Sequence, residues 1–348
     1  MKNILLLFGG KHGGIANYVK NIIDNSGNLN YFICSEEFEK EMYKDLFSDV
    51  HTINFPINKG LLHQLINIFK LVKPTSKGSW TINAHALKMG LLASILKIIN
   101  PKIRFLYTDH GSPYKQKQSF LVRSIFFIIE YTITLLADKR VFIRKKEFDE
   151  WHRCDSIDHS NLLCIPTEID LPALKSKKTI TSDILIIMTG KFYHLKNPEL
   201  FYEIASQDFD VNNKVKFLWV GEGAEKSGFK AENLEFQSQL SQDEIVQLHQ
   251  SASILLVTSR IEIIPLMVIE AMKYNTLVIS YAYEGVEELI ENNFNGYIFE
   301  SVAQAKSIIE NSINDPMTTQ KIIDNARRYV ENERLNTKRF KNRYNELF

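Results

Sequence analysis

The sequence predicts an α/β protein made of two domains, each built on a parallel sheet. Two observations lead there. Short apolar runs of strand length alternate with longer segments of helical periodicity along the chain, which is how a sheet with crossover helices reads. The series is interrupted at residues 166–181, where Lys, Pro, Thr and Ser accumulate in the manner of a linker. With 348 residues and 45% hydrophobic content, the chain is long enough for two cores of ordinary size.

In the first half, strands are expected over residues 4–8, 31–34, 50–55, 79–84, 104–108, 139–143 and 162–165. In the second half they are expected over 183–189, 216–220, 234–236, 253–257, 277–280 and 297–299. None of these runs contains proline, and several are apolar at consecutive positions, as strands covered on both faces require. The most apolar stretch, residues 119–136, is interrupted by Arg123 and Glu130. Those two charges are seven residues apart, close to one helical face, so an amphipathic helix is expected there and no transmembrane helix. The apolar start of the chain is too short and wrongly followed for a signal peptide. Helical, charged sequence runs from about residue 303 to the end. This layout gives two facing Rossmann-like domains with a cleft between them: 1–166, a linker over 167–181, 182–325, and a last helical segment over 326–348. Ligands of such sheets sit beyond the carboxyl ends of the strands.

The densest chemical signal is residues 259–272, Ser-Arg-Ile-Glu-Ile-Ile-Pro-Leu-Met-Val-Ile-Glu-Ala-Met. It follows a strand and opens an apolar helix. Pro265 fits a first helical turn, where a missing N–H costs nothing. Glu262 then lies in the loop before the helix and Glu270 inside it. A helix N-terminus is a natural seat for a diphosphate. Carboxylates beside it would repel phosphate, but they can accept hydrogen bonds from the hydroxyls of a sugar and a ribose. Acids near a helix start also occur simply because they complement the dipole. The apolar neighbours Ile261, Ile263, Ile269 and Ala271 set these two apart from a charged surface stripe.

A net charge of +1 excludes a generic polyanion binder, and no basic arm or aromatic-basic array suggests nucleic acid. The residues before about 170 carry an excess of about five positive charges, balanced by an acidic remainder. Lys70, Lys73 and Lys77 belong to the basic part and suit contact with an anionic membrane surface. The three cysteines, Cys34, Cys154 and Cys164, have no metal-ligand spacing and read as thiols of a reducing cytoplasm.

The 259–272 segment resembles the E-x7-E motif of retaining GT-B glycosyltransferases, especially glycosyltransferase family 4 (glycosyl transferases group 1), whose usual form is S-R-x-E-G-x-P-x-x-x-x-E-A-M. Further segments resemble the family in the same order: Gly13-Gly14-Ile15-Ala16-Asn17; Asn83-Ala84-His85-Ala86; Tyr107-Thr108-Asp109-His110-Gly111; Gly190-Lys191 with Lys196-Asn197-Pro198; Val220-Gly221-Glu222-Gly223; and Asn295-Gly296-Tyr297. The resemblance implies a GT-B enzyme that moves a hexose or N-acetylhexosamine from a nucleotide diphosphate sugar, UDP-linked first of all. The acceptor implied is a glycan or lipid-linked molecule of an envelope or capsule polysaccharide. It further implies that the last helix crosses back onto the first domain, where Phe340, Tyr344 and Phe348 form a docking stripe.

The resemblance places Lys191 and Lys196 on the diphosphate, Glu262 on the donor sugar and Glu270 on the ribose. Gly13 and Gly14 would approach the donor, and Phe236 and Gln237 would meet the nucleobase through backbone groups. The segment Ile263, Ile264, Pro265 and Leu266 would line the donor. His110 would stand beside the reacting sugar, with His85 on the acceptor side. No metal and no other cofactor is implied, and Asp208-Phe209-Asp210 reads as a turn despite its D-x-D spelling. The chain departs from the family at Ile263, where the usual residue is glycine. It departs again at Phe236-Gln237-Ser238, where F-x-G is common. An isoleucine adopts a positive φ only at a cost, so a re-formed loop is expected at 263. A cytoplasmic enzyme follows, with peripheral contact to the inner face of the membrane. The other reading is a catalytically weak GT-B homologue that binds nucleotide sugar as part of a glycan assembly complex.

Overall fold

The computed structural model describes residues 3–8, 13–25, 30–35, 51–54, 65–66, 68, 80–111, 119–172, 183–226, 228–263 and 265–347. The chain divides into two compact units, Met1–Thr167 with Thr337–Phe348, and Glu168–Asn336. Every expected strand is present to within one residue at each end. The runs at 4–8, 80–85, 105–109 and 254–257 are buried on both faces of their sheets.

The first unit carries a parallel sheet with seven strands among the described residues, in the order β3-β2-β1-β4-β5-β6-β7. These are β1 (Asn3–Phe8), β2 (Asn30–Ser35), β3 (His51–Asn54), β4 (Trp80–His85), β5 (Arg104–Asp109), β6 (Lys139–Phe142) and β7 (Leu162–Cys164). The strand order reverses between β1 and β4. Phe8 is in register with His85, and His85 with Thr108, so the loops after β1, β4 and β5 leave from one edge. Helices α1 (Gly13–Asn25), α2 (Leu87–Ile99), α3 (Phe120–Leu136) and α4 (Lys145–Trp151) provide crossovers. Leu92, Ala93 and Leu96 of α2 and Ile133 of α3 close on Ile82, Phe105 and Tyr107. Full burial of each large apolar side chain contributes about 1.5–3 kcal/mol.

One correction concerns α3. The expected helix forms but is not amphipathic in the expected sense: its exposed side carries Leu121, Ile125 and Ile128, and Glu130 is fully buried instead of sharing a solvent face with Arg123. Arg140 of β6 explains it. Its Nη2 donates to Glu130 Oε2 at 2.8 Å and to Asp109 Oδ2 at 2.7 Å, and its Nη1 to Thr134 Oγ1 at 2.6 Å. The guanidinium lies 4.0 Å from the Trp151 ring centre and 4.4 Å from that of Phe142. The two carboxylates hold Arg140 in its charged form despite burial. The network fixes the end of β5 just ahead of His110.

The second unit is a parallel sheet with six strands among the described residues, ordered β10-β9-β8-β11-β12-β13. They are β8 (Ile184–Thr189), β9 (Val215–Val220), β10 (Leu234–Gln237), β11 (Ile254–Val257), β12 (Leu277–Tyr281) and β13 (Tyr297–Phe299). The order reverses between β8 and β11, which is where such sheets bind ligands. Crossovers and covers are α5 (Pro198–Ala205), α6 (Gln242–Ser251), α7 (Leu266–Lys273), α8 (Val302–Asn314) and α9 (Pro316–Glu333). Pro198 opens α5 at a position that needs no N–H. Ser241 and Glu244 close a reciprocal capping box on α6.

The last helix, α10 (Thr337–Asn345), belongs to the first unit. Phe340 and Tyr344 are fully buried there. The Tyr344 hydroxyl lies 2.7 Å from that of Tyr18 on α1, and Tyr18 also donates to the Ile165 carbonyl at 3.2 Å. Phe348, the third residue of the expected stripe, lies outside the described residues, as do Lys70, Lys73 and Lys77.

The Arg140 network makes a stability prediction. Arg140→Ala strands two buried carboxylates and should cost the first unit about 3–5 kcal/mol in chemical denaturation. A loss below 1 kcal/mol would mean that Asp109 and Glu130 find other partners or water.

Candidate functional site

In the second unit the site grows from the loops after β8 and β11, adjacent parallel strands at the switch point. Gly190 ends β8 with φ 137, and Gly221 ends β9 against it. A Cβ on Gly221 would stand 1.9 Å from the Gly190 carbonyl oxygen, so the close approach of the two turns requires glycine there. The chain then makes a 3-10 turn over His194–Lys196, and Asn197, with φ 55, reverses it into α5.

The loop after β11 is stitched to this turn. Thr258 Oγ1 donates to the Lys196 carbonyl at 2.9 Å, and the Arg260 amide to the Leu195 carbonyl at 2.8 Å. The Arg260 side chain adds bonds to the His194 carbonyl at 3.2 Å and to Asn197 Oδ1 at 2.6 Å. The stitch brings Lys196 and Glu262 together as a hydrogen-bonded ion pair, both largely buried. Ser259 Oγ donates to the same Glu262 oxygen at 2.6 Å.

Lys191 is placed differently. It pairs with Glu222 at 3.1 Å, and both side chains are at least half exposed. Pro265 is the residue before α7 rather than its first turn, with φ −73. Leu266 begins the helix, which puts Glu270 inside it. Ile263 is absent from the described residues with positive φ. The backbone at 263 thus avoids the conformation that isoleucine resists. Ile264 lies outside the described residues.

Glu270 faces α6, where its Oε2 is 3.5 Å from Nε2 of the fully buried His249. Sequence reading gave His249 no role, because twenty-one positions separate it from Glu270; only the packing of α6 on α7 joins them. Ser259 and Arg260 were likewise visible in the motif, and Thr258 just ahead of it, but not as the stitch that positions Glu262 and Lys196. Phe236 sits among aromatic rings, 5.7 Å from Phe192 and 6.4 Å from Phe229 between centres. The Gln237 carbonyl accepts from the Gly221 amide at 3.0 Å. Asp208-Phe209-Asp210 lies in the connection from α5 to β9; Phe209 packs on Phe217, and the Asp210 amide donates to Glu310.

In the first unit, the loops after β4 and β5 bring the two predicted histidines into contact. His85 Nδ1 is 2.9 Å from His110 Nε2, both rings buried. Tyr18 of α1 meets both rings edge-on, at 5.1 Å from His110 and 6.1 Å from His85. Ala86, with φ 67, and Gly111, with φ 94, turn the chain just past each histidine. Burial lowers the pKa of His110 from 6.5 to about 4, against an opposing pull from Asp109. Burial, then the neighbouring His110, also lowers that of His85. Neutral, they form a donor–acceptor pair. Gly13 and Gly14 open α1, and the preceding residues 9–12 lie outside the described ones.

Comparison with known proteins places this geometry. Anabaena HepE in complex with UDP-glucose superposes with a TM-score of 0.79 at 15% identity, covering 100% of this chain and 99% of that one. The sucrose-phosphate synthase of Thermosynechococcus elongatus superposes at 0.76 with 16% identity, over 100% and 98%. The fold is thus that of GT-B glycosyltransferases. Residues 172–329, all within the second unit, match the family described as glycosyl transferases group 1.

Among its relatives is a Campylobacter jejuni GalNAc-alpha-(1->4)-GalNAc-alpha-(1->3)-diNAcBac-PP-undecaprenol alpha-1,4-N-acetyl-D-galactosaminyltransferase. It is 27% identical over 154 residues, 41% of this chain and 42% of that enzyme; the match thus spans less than half of that relative. Another is an Escherichia coli UDP-Gal:alpha-D-GlcNAc-diphosphoundecaprenol alpha-1,3-galactosyltransferase, 20% identical over 263 residues, 69% of this chain and 66% of that enzyme.

The histidine pair makes the site pH-sensitive in stability. Between pH 6.5 and about 4 the unfolded chain takes up a proton that folded His110 refuses. Stability therefore falls as pH drops through that window, by up to about 1.4 kcal/mol per pH unit for one group. Urea unfolding from pH 7 to 4.5 should show this slope, and a His85→Asn/His110→Gln variant should flatten it. An unchanged slope in the variant would remove the pair as its source.

Proposed function

We propose that this chain is a glycosyltransferase of that group, a retaining, metal-independent enzyme of family 4. It transfers a hexose or N-acetylhexosamine from a UDP-linked donor to a lipid-linked glycan acceptor at the inner face of a membrane, in envelope or capsule polysaccharide assembly. The observation that carries the reading is the meeting of Lys196 and Glu262 at the switch point, beside the start of α7. The UDP-glucose bound to the Anabaena neighbour supports the donor, and the undecaprenol-diphosphate acceptors of two relatives support the acceptor.

In this reading the diphosphate replaces Glu262 as the partner of Lys196. The released carboxylate then accepts hydrogen bonds from the donor sugar, and Ser259 holds it in place. Lys191 leaves Glu222 for the same diphosphate, and Glu270 takes the ribose hydroxyls. As the bond between the anomeric carbon and the β-phosphate oxygen breaks, charge builds on that oxygen. Lys196, Lys191 and the α7 N-terminus stabilise it. The acceptor hydroxyl attacks on the same face and passes its proton to the departing phosphate oxygen. The protein supplies position and charge rather than a dedicated base.

A variant series tests these roles. Glu270→Gln should weaken UDP binding in calorimetry. Glu262→Gln should leave UDP binding unimpaired while lowering turnover, because it both frees Lys196 and removes the sugar contact. Lys196→Ala should lower turnover about 100- to 1000-fold with weak UDP binding retained. Tight UDP binding in the wild type, no transfer or donor hydrolysis across a broad screen, and an indifferent Lys196→Ala variant would instead mark a silent binding protein.

The positive charge is assigned to lysines and a helix end, so turnover should persist in EDTA and need neither manganese nor magnesium. Reversible loss on chelation would contradict that assignment.

A further inference from the structure

His249 occupies an inward position of α6, one turn past Val246 and one turn before Ala252, all three buried. An apolar side chain is the ordinary occupant of such a stripe. The imidazole is 0% exposed, and neither ring nitrogen has a hydrogen-bond partner among the described residues. A buried donor without an acceptor costs stability. Its main chain does not account for it. The Thr276 hydroxyl donates to the His249 carbonyl at 2.5 Å, a bond that any residue at 249 could accept. The polarity of the ring therefore needs another reason.

The ring faces Glu270 on α7, with Nε2 at 3.5 Å from Oε2. A carboxylate only accepts, so the nitrogen facing it carries the proton. The gap exceeds the roughly 2.7–3.2 Å of a formed hydrogen bond. Glu270 is set among the fully buried Val268, Ile269, Ala271 and Met272, yet its own side chain is 12% exposed, so a ligand can reach it. Tyr274, one turn on, commits its hydroxyl to the Pro172 carbonyl at 3.1 Å.

We propose that His249 is a positioning residue for Glu270: its Nε2–H closes on the carboxylate when ribose hydroxyls engage it, and so fixes the plane in which Glu270 accepts them. A carboxylate has about four acceptor sites and can serve the ribose and the imidazole together. The donor left unsatisfied in the ligand-free protein gains its acceptor on binding, which favours the bound form. The inference deepens the proposed function and rests on its contact between Glu270 and the ribose.

UDP and 2′-deoxy-UDP are titrated into the full chain by calorimetry, and the ratio of their dissociation constants reads the ribose contact. The wild type should prefer UDP, and Glu270→Gln should shrink that preference. His249→Leu should weaken UDP binding about tenfold and 2′-deoxy-UDP binding less, so the ratio shrinks again. His249→Gln, whose amide nitrogen donates from the place of Nε2, should keep most of the preference. His249→Asn, whose amide lies at the place of Nδ1, should lose it. Circular-dichroism melts check that each variant is folded; if His249→Leu is not, the Gln and Asn variants decide. An unchanged ratio in the folded His249 variants, with a reduced one in Glu270→Gln, would overturn this inference and leave the ribose contact standing. Equal weakening of both nucleotides by His249→Leu would overturn it in favour of a purely structural role. An unchanged ratio in Glu270→Gln would overturn the ribose contact itself, and this inference with it.

Discussion

The geometry of the loops after β8 and β11 depends on the parallel pairing of those two strands. Ile186 and Ile187 lie in register with Ile254 and Leu255, and that register alone decides which residues of the two following loops meet. A slip of one residue would turn every side chain of β11 to the opposite face and carry Thr258, Ser259 and Arg260 away from the turn they stitch. Arg260 spends both its backbone amide and its side chain on residues 194–197, which makes it a clamp between loops rather than a ligand contact. With the loops clamped, Lys196 and Glu262 are brought together in a largely dehydrated place. Each needs the other there, because a lone charge so buried would be costly. The pair is thus internally neutralised.

The first unit solves a related problem without charge. Its switch point lies between β1 and β4, and the aligned ends of β4 and β5 deliver His85 and His110 side by side. Two imidazoliums could not share that space, so burial and proximity keep the rings neutral. The Arg140 network pins Asp109 on one side of His110. Tyr18, tied to Tyr344 of the last helix, packs edge-on against the pair. The rigidity of the two rings therefore rests on contacts up to 326 positions apart in sequence.

The strands were legible because a buried parallel strand leaves a continuous apolar run, and each run was bounded by polar or turn-forming residues. The two acids of the 259–272 segment were legible because their spacing around a proline fixes one in the loop and one in the helix. What spacing could not carry was partnership. Nothing local says that Glu262 finds Lys196, that Glu270 faces His249, or that Lys191 turns to Glu222; strand order and helix packing decide all three. Glu130 was misplaced for the same reason. Seven residues from Arg123 it reads as half of a polar face, until Arg140 on β6 draws it inward.

The departure at Ile263 shows how far a motif can drift without losing its frame. A glycine in that position elsewhere suggests a positive φ, which isoleucine resists. Here the backbone at 263 does not take that conformation, and Pro265 still leads directly into α7. Isoleucine at 263 therefore brings no positive-φ strain to the segment ahead of the helix. Glu262 is held from behind by Ser259 and Lys196, not by the residue that follows it. The bonds that anchor the segment are made by residues 258, 259, 260 and 262, so the anchoring does not depend on the side chain at 263.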